Sequence, residues 1–145
     1  MTTIAYNHKD KQIAVDSRSS RDNVIMSDHV DKSKLVNGVT FVLCGAACDY
    51  SILIDMYFGS ESKLVPEANA FVIDDGKVYR IGCTADGVFW KQECEHNDAL
   101  GSGWEYALAA MDFGRDAEEA VEYAKTRDCY TGGEVHVFNV ESLRG

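Results

Sequence analysis

The sequence predicts a layered α/β (α+β) domain built from mostly antiparallel strands. Short alternating or continuous apolar runs dominate the first half of the chain. Apolar positions at helical spacing recur over residues 48–58, 104–111 and 116–125. The resulting order is strands, helix, strands, two helices, strand. Helices in that order cannot all cover one face of a sheet without leaving the other bare, so helical layers are expected on more than one face.

The elements follow in order. Thr2 to Tyr6 is a β-prone run, Asn7-His8-Lys9-Asp10 is turn material, and Gln12 to Ser17 returns with Ile13 and Val15 on one face and Ala14 and Asp16 on the other. A hairpin of these two runs brings Asp16 to the chain start. Val24-Ile25-Met26 is a brief apolar segment, and Val39 to Cys44 is a continuous one, as for a strand covered on both faces. Gly45-Ala46-Ala47 then lets a helix begin close to the sheet, and Gly59-Ser60 ends it. Pro66 marks the break before a hairpin of Ala68–Ile73 and Lys77–Ile81 around Asp74-Asp75-Gly76, with Val88-Phe89-Trp90 extending the sheet. Trp104, Leu108 and Met111 make a helical stripe backed by Ala107 and Ala110. A second helix begins at Asp116, with Glu119 completing a capping box and Ala117, Ala120, Val121 and Ala124 as its buried face. Glu134 to Val140 is the closing strand. No repeat or linker interrupts residues 1–145, so one domain is expected.

Composition narrows the function. A chain of 145 residues buries roughly 68–70% of its unfolded surface, enough for a core without staples. The net charge of -10 repels phosphate backbones and argues against nucleic-acid binding. The five cysteines (Cys44, Cys48, Cys83, Cys94, Cys129) form no C-x-x-C pair and read as small, mainly buried thiols; no zinc site, other metal or cofactor is expected. The N-terminus has no basic stretch followed by an apolar run, and no window approaches ~18 uninterrupted apolar residues. A cytoplasmic protein that neither is secreted nor crosses a membrane is the expectation.

Four segments carry candidate chemistry, each weak alone. In Met1-Thr2-Thr3, removal of the initiator methionine exposes Thr2 with a free α-amine, whose unperturbed pKa of about 7.7–8.0 leaves a useful neutral fraction. Such an amine is one recognised activator of a threonine hydroxyl; the plainer reading is a strand that starts with two threonines. Asp16, in Asp16-Ser17-Arg18, is a carboxylate that can orient a lysine or that amine, or merely a turn residue. Lys32 beside the nucleophile lowers the pKa of amine and hydroxyl by like-charge proximity, against the default of a surface lysine. Gly45, at a strand end, offers a backbone N–H to an oxyanion and lets substrate approach closely, against the default of an ordinary strand-to-helix glycine.

In combination these segments resemble the N-terminal-threonine hydrolases of the proteasome β-subunit and HslV type. A near-terminal threonine in Met-Thr-Thr-Ile, then Asp-Ser-Arg, then Val-x-Lys, then Gly45-Ala46-Ala47-x-Asp49 follow one another in that family's order. Gly101-Ser102-Gly103 is similar to its Gly-Ser-Gly helix start, and Arg127-Asp128-Cys129-Tyr130-Thr131-Gly132-Gly133 to its segment before the closing strand. The resemblance covers nearly the whole chain. It implies a four-layer αββα sandwich of the N-terminal-nucleophile (Ntn) hydrolase kind. It also implies roles: Thr2 as nucleophile with its own amine as proton acceptor, Asp16 and Lys32 as the charged pair beside it, and Gly45 N–H as oxyanion donor. Ser102, Asp128 and Thr131 match positions that hold the N-terminal amine and relay protons.

The chain departs from that pattern in its middle, where only one short helix fits between Gly45 and Ala68 and a second central helix is missing. That absence counts against ring assembly of the usual kind and against docking of an ATPase partner. The resemblance implies a homo-oligomeric peptidase acting on peptide or unfolded-protein substrate, with specificity set near Ser19–Asp22 and Gly45–Asp49. Two other readings stand beside it: an amidase for a small molecule, and a proteasome-fold binding or regulatory protein without turnover, which a retained Met1 would favour.

Overall fold

The structure, a computed structural model, describes residues 1–143. Strands β1 (Thr3–Asn7) and β2 (Gln12–Val15) form the first hairpin, and β3 (Ser19–Arg21) and β4 (Val24–Ser27) a small separate arm. Then come β5 (Ser33–Val36), β6 (Val39–Gly45), a 3-10 turn at Ala47–Asp49 and helix α1 (Tyr50–Tyr57). Strands β7 (Ala68–Asp74), β8 (Lys77–Cys83), β9 (Phe89–Glu93) and β10 (Asp98–Gly101) follow. Helices α2 (Trp104–Asp112) and α3 (Ala117–Lys125) lead to β11 (His136–Asn139).

The strands make two main sheets, one ordered β10-β1-β2-β11 and one ordered β5-β6-β7-β8-β9, with every pairing antiparallel. Strand alternation then builds the layers. Ile4, Tyr6, Ile13 and Val15 of the first sheet meet Val42, Cys44, Phe71, Ile73 and Val78 of the second. On the opposite face of the first sheet, Ala5, Ala14 and Ala99 meet the alanine-rich sides of α2 and α3, whose small residues allow close approach. On the outer face of the second, Phe41, Leu43 and Val72 pack on Leu53 and Ile54 of α1. Two helices, two sheets and one helix make the expected αββα sandwich.

That last layer is thin. Residues 58–67 contain neither helix nor strand, so α1 alone stands where two helices were the family pattern. Aromatic rings extend the cover: Phe41 meets Tyr57 and Phe58 edge-on, with centroids 5.2 and 5.9 Å away, and Lys91 Nζ caps Tyr57 and Tyr79 at 4.7 and 4.2 Å. Among the described residues no helix is long and apolar enough to cross a membrane.

Several expectations change in detail. β3, β5 and β10 carry no periodic signal of their own; β10 exists because β1 offers it a partner, from Thr3↔Gly101 to Tyr6↔Asp98. Trp104, expected in a buried stripe, is exposed, while Ala107, Ala110 and Met111 are buried. Cys48 and Cys129 are exposed thiols, unlike Cys44 and Cys94. The capping box at Asp116 and Glu119 is formed as its spacing implies.

Candidate active site

The site lies at the end of the sandwich where β1 begins. In the first hairpin Ile4 pairs with Val15, so Thr3 and Asp16 come next in register. Thr3 N–H donates to Asp16 Oδ1 at 3.2 Å and Asp16 N–H to Thr3 O at 3.3 Å. Chain starts usually lie exposed; here Thr2 is only 2% exposed and Thr3 fully buried. Lys32 enters from the other sheet: it immediately precedes β5, and its carbonyl accepts the Leu43 N–H of β6 at 2.9 Å.

Lys32 joins these pieces. Its Nζ donates to Thr2 Oγ1 at 2.9 Å, Asp16 Oδ1 at 2.8 Å and Met1 O at 3.0 Å, which uses all three ammonium hydrogens. Asp16 is fully buried and accepts twice more at Oδ2, from Gly132 N–H at 3.0 Å and Arg18 N–H at 3.4 Å. Burial pushes the Lys32 ammonium below its ordinary pKa, with the attraction and hydrogen bond of Asp16 opposing the shift. The outcome is a cation 2.9 Å from a threonine hydroxyl, held by a carboxylate that water does not reach.

A second network lies beside the first. Ser102 Oγ and Thr131 Oγ1 each donate to Asp128 Oδ2 at 2.6 Å. Thr131 has then spent its one hydrogen, so Thr3 Oγ1 is the donor in its 2.6 Å contact with Thr131 Oγ1. The Ser102 hydroxyl also lies 3.4 Å from Thr2 O, the weaker of its two contacts. Burial raises the Asp128 carboxyl, but hydrogen bonds from Ser102, Thr131 and the Tyr130 N–H, aided by the positive chain terminus, hold it below the usual carboxylate range. Ser102, held by Asp128, thus approaches the main chain at Thr2, whereas Thr131 reaches the chain start through Thr3.

Gly45 closes β6 with φ +104°, and a Cβ there would lie 2.4 Å from Glu67 O. Ala46 N–H donates toward β7, to Glu67 O, and Leu43 N–H toward Lys32. Donor directions alternate along a strand, so the Gly45 N–H points to the Lys32 side, past the end of β5. A cavity of about 240 Å³ opens there, lined by Met1, Thr2, Gly45, Asn69, Arg80 and Ser102 among others. A larger cavity of about 690 Å³ lies between α2 and α3, far from Thr2, and brings no nucleophile beside a base.

All seven residues singled out in the sequence, Thr2, Asp16, Lys32, Gly45, Ser102, Asp128 and Thr131, gather at this end of the fold. Other residues shape the site without a chemical role that the sequence assigns. Gly101, at φ +94°, lets Thr2 O come so close that a Cβ would lie 1.9 Å away. Gly103 similarly makes room for Thr3 Oγ1. The Arg18 guanidinium grips Asp28 at 2.8 and 3.1 Å, donates to Cys129 O at 3.0 Å and fills the space a Gly132 side chain would need, fastening the Asp16 loop to the Asp128 loop. The glycine spacing in Gly-Ser-Gly and Gly-Gly was the one available signal for these; Asn69 and Arg80 left none.

Solved structures now bear on the fold. BPH from Thiobacillus denitrificans in complex with epoxomicin superposes with a TM-score of 0.73, covering 94% of this chain and 97% of that one at 20% sequence identity. Eukaryotic HslV from Trypanosoma brucei superposes with a TM-score of 0.71 over 94% of this chain and 98% of its own, at 17% identity. The fold is HslV-like. No protein-family model matches the sequence, and no curated protein matches it. The likeness therefore lives in the backbone. Within the HslV-like fold, the two sheets meet Thr2 from opposite sides, one through β1 and β10 and the other through Lys32 and the end of β6.

Proposed function

We propose that this chain is a threonine-type N-terminal-nucleophile peptidase that cuts peptide bonds with Thr2 once Met1 is removed. One observation carries the reading: the Lys32 ammonium sits 2.9 Å from Thr2 Oγ1 and 2.8 Å from the buried Asp16 carboxylate, at the wall of a cavity. An isolated threonine hydroxyl is a poor nucleophile. Beside Lys32 its developing negative charge is stabilised in a site of low dielectric.

In the proposed reaction the freed Thr2 α-amine, in its neutral form, takes the hydroxyl proton through a water. Thr2 Oγ1 bonds to the substrate carbonyl carbon, and the carbonyl oxygen becomes an oxyanion that accepts from the Gly45 N–H. The C–N bond then breaks, the leaving amine takes the proton from the Thr2 ammonium, and an ester to Thr2 remains. Water, deprotonated by the same amine, attacks the ester and releases the acid and the free hydroxyl. Asp16 keeps Lys32 charged and in place. Ser102, with Asp128 and Thr131 behind it, fixes the Thr2 backbone and has lone pairs to accept from the freed amine.

The substrates of this reading are peptides and unfolded protein segments in the cytoplasm, and the working form is a homo-oligomer. Val24, Ile25 and Met26 of β4 and Leu35 of β5 are exposed, apolar surface that suits burial between copies. The test has two parts. N-terminal sequencing or intact mass should show protein lacking Met1, and a fluorogenic peptide panel should be cleaved by it but not by Thr2→Ala. Cleavage unchanged in Thr2→Ala would end the proposal. Epoxomicin, present in the Thiobacillus BPH complex, is a further probe; it is expected to raise the melting temperature of the mature protein and not that of Thr2→Ala.

A second reading has its own support. The Met1 carbonyl takes one Lys32 hydrogen at 3.0 Å, and while Met1 remains the Thr2 nitrogen is an amide and no base. A chain that keeps Met1 is a binding protein without turnover, and the same mass measurement separates the two.

A further inference from the structure

We infer that Arg80 makes the cavity beside Thr2 a carboxylate subsite, which receives an acidic side chain or a free C-terminal carboxylate of the substrate close to the bond being cut. The inference rests on the peptidase reading for turnover, while the binding chemistry stands apart from it.

Arg80 lies opposite Phe71 across β7 and β8 and so shares its face, the inner one that meets the first sheet. That face holds the core residues Phe71, Ile73 and Val78 beside polar Asn69 and Gln92, and the Arg80 side chain is 38% exposed. Only the part of the guanidinium drawn out of water there costs solvation and calls for acceptors. The acceptors present are few. Asp98 Oδ2 lies 3.4 Å from one terminal nitrogen, long against the roughly 2.7–2.9 Å of a good charge-assisted bond. The Trp90 ring lies 5.6 Å from the guanidinium carbon. The Nε–H is buried and has no acceptor among the described residues.

An arginine placed only to pair with Asp98 would close that contact and satisfy Nε. Arg80 also lines the cavity beside Thr2, whose other walls include Asn69, Thr2, Gly45 and Ser102, with no carboxylate among the lining residues. Its charge is felt there: Arg80 is one of the groups that draw the Cys44 thiol down, although burial still pushes that thiol up to about 11. The volume of about 240 Å³ is worth on the order of eight waters, enough for one carboxylate-bearing side chain or chain end. Carboxylates match the planar fork of arginine two oxygens to two N–H groups, which a neutral amide cannot do with equal strength. Since the whole protein carries a charge of -10, an acidic group gains nothing from the general surface field. Its preference has to come from a local cation.

Paired fluorogenic peptides that differ only as Glu against Gln, and as free acid against amide, distinguish the two carboxylate sources. In the mature protein at least one acid is expected to exceed its neutral partner in kcat/KM by about tenfold or more, the size of one charged hydrogen bond. Arg80→Gln should collapse that ratio, Arg80→Lys should restore part of it, and Asp98→Asn, which removes the competing negative charge, should widen it. Should the acid-to-neutral ratio be the same in wild type and Arg80→Gln, the inference is overturned. Calorimetric binding of the same unlabelled peptides to Thr2→Ala gives a readout that needs no turnover. If no peptide is cleaved yet the acid peptide binds and Arg80→Gln abolishes binding, the subsite stands and the peptidase reading falls. If Thr2→Ala binds acid and neutral peptides equally, the subsite falls whatever the activity. Should Arg80→Gln fail to fold, equal ratios in Asp98→Asn and wild type overturn it instead.

Discussion

Changing Asp16 to asparagine tests the centre of the site with almost no change of shape. Asp16 accepts from Lys32, Thr3 N–H, Arg18 N–H and Gly132 N–H, and all of it is buried. An amide has one acceptor oxygen and one donor nitrogen, so Asp16→Asn sets an N–H against either the Lys32 ammonium or the Gly132 N–H. Lys32 is itself only 6% exposed, and its other acceptors, Met1 O and Thr2 Oγ1, are uncharged. Breaking a buried pair by removing one partner costs about 3–5 kcal/mol, because the other charge is stranded. For a chain of this size that is roughly 10–20 °C in melting temperature. Lys32→Met is expected to cost less, about 1–2 kcal/mol, since Asp16 keeps three backbone donors. Asp16→Asn combined with Lys32→Met should therefore be more stable than Asp16→Asn alone. Urea unfolding reads all three as midpoint shifts at constant slope. Asp16→Asn costing under about 1 kcal/mol, or a double variant showing the plain sum of the singles, would refute the stranded-charge account.

Other outcomes follow from single contacts. Gly101→Ala should cost about 2 kcal/mol or more, from a Cβ 1.9 Å from Thr2 O at φ +94°, and should abolish turnover even where the protein remains folded; peptide cleavage beside circular dichroism reads both. Asp128, held below its unfolded value of 3.8, binds protons more weakly when folded, so its contribution to stability is present above that value and lost as pH falls through the lower folded one. The stability gap between wild type and Asp128→Asn should accordingly shrink as acid unfolding is followed downward from pH 5. Asp116→Ala, which removes the N-cap of α3, should cost about 1 kcal/mol in urea unfolding and leave peptide cleavage intact.

What the sequence disclosed and what it withheld divide along physical lines. Alternation in Gln12–Val15 and the continuous run from Val39 to Cys44 fixed the faces of β2 and β6, because side-chain period is a local property. The same holds for α3, whose buried alanines and Val121 fall at helical spacing. β10 was illegible: Asp98–Gly101 is four residues long and is a strand only because β1 hydrogen-bonds to it from a distant part of the chain. β5 was hidden for a different reason, being an edge strand with Lys34 and Leu35 both exposed, so no buried face imprints a pattern. Trp104 misled through its size; at the first turn of α2 it lies outside the interface that Ala107 and Met111 fill.

In the site, residues whose chemistry is unusual for their position were legible, and, Gly45 apart, residues whose job is to leave space were not. Thr2, Asp16 and Lys32 stand out as reactive or charged types, and their meeting follows from one hairpin and one strand. Gly101, Gly103 and Gly132 act by what they lack, and only the neighbours that crowd them, Thr2 O, Thr3 Oγ1 and the Arg18 guanidinium, reveal it. Arg80 belongs to neither group: as a lone arginine in an apolar strand it reads as surface until the register puts it opposite Phe71.

Burying the start of the chain is the feature to which the rest answers. A hydroxyl beside the first peptide unit is ordinarily solvated and inert, and Thr2 differs because β10 covers it on one side and Lys32 on the other. That enclosure draws a lysine out of water, which in turn requires Asp16 and its backbone donors, which require the Asp16 and Asp128 loops to be locked by Arg18. Each step satisfies a polar group that the previous step buried, and the chain of satisfactions ends at the cavity that Gly45 and Arg80 help to line. Among the described residues the Arg80 Nε is the one buried side-chain nitrogen or oxygen without a hydrogen-bond partner, and an under-satisfied guanidinium beside a cavity is what a substrate carboxylate would complete.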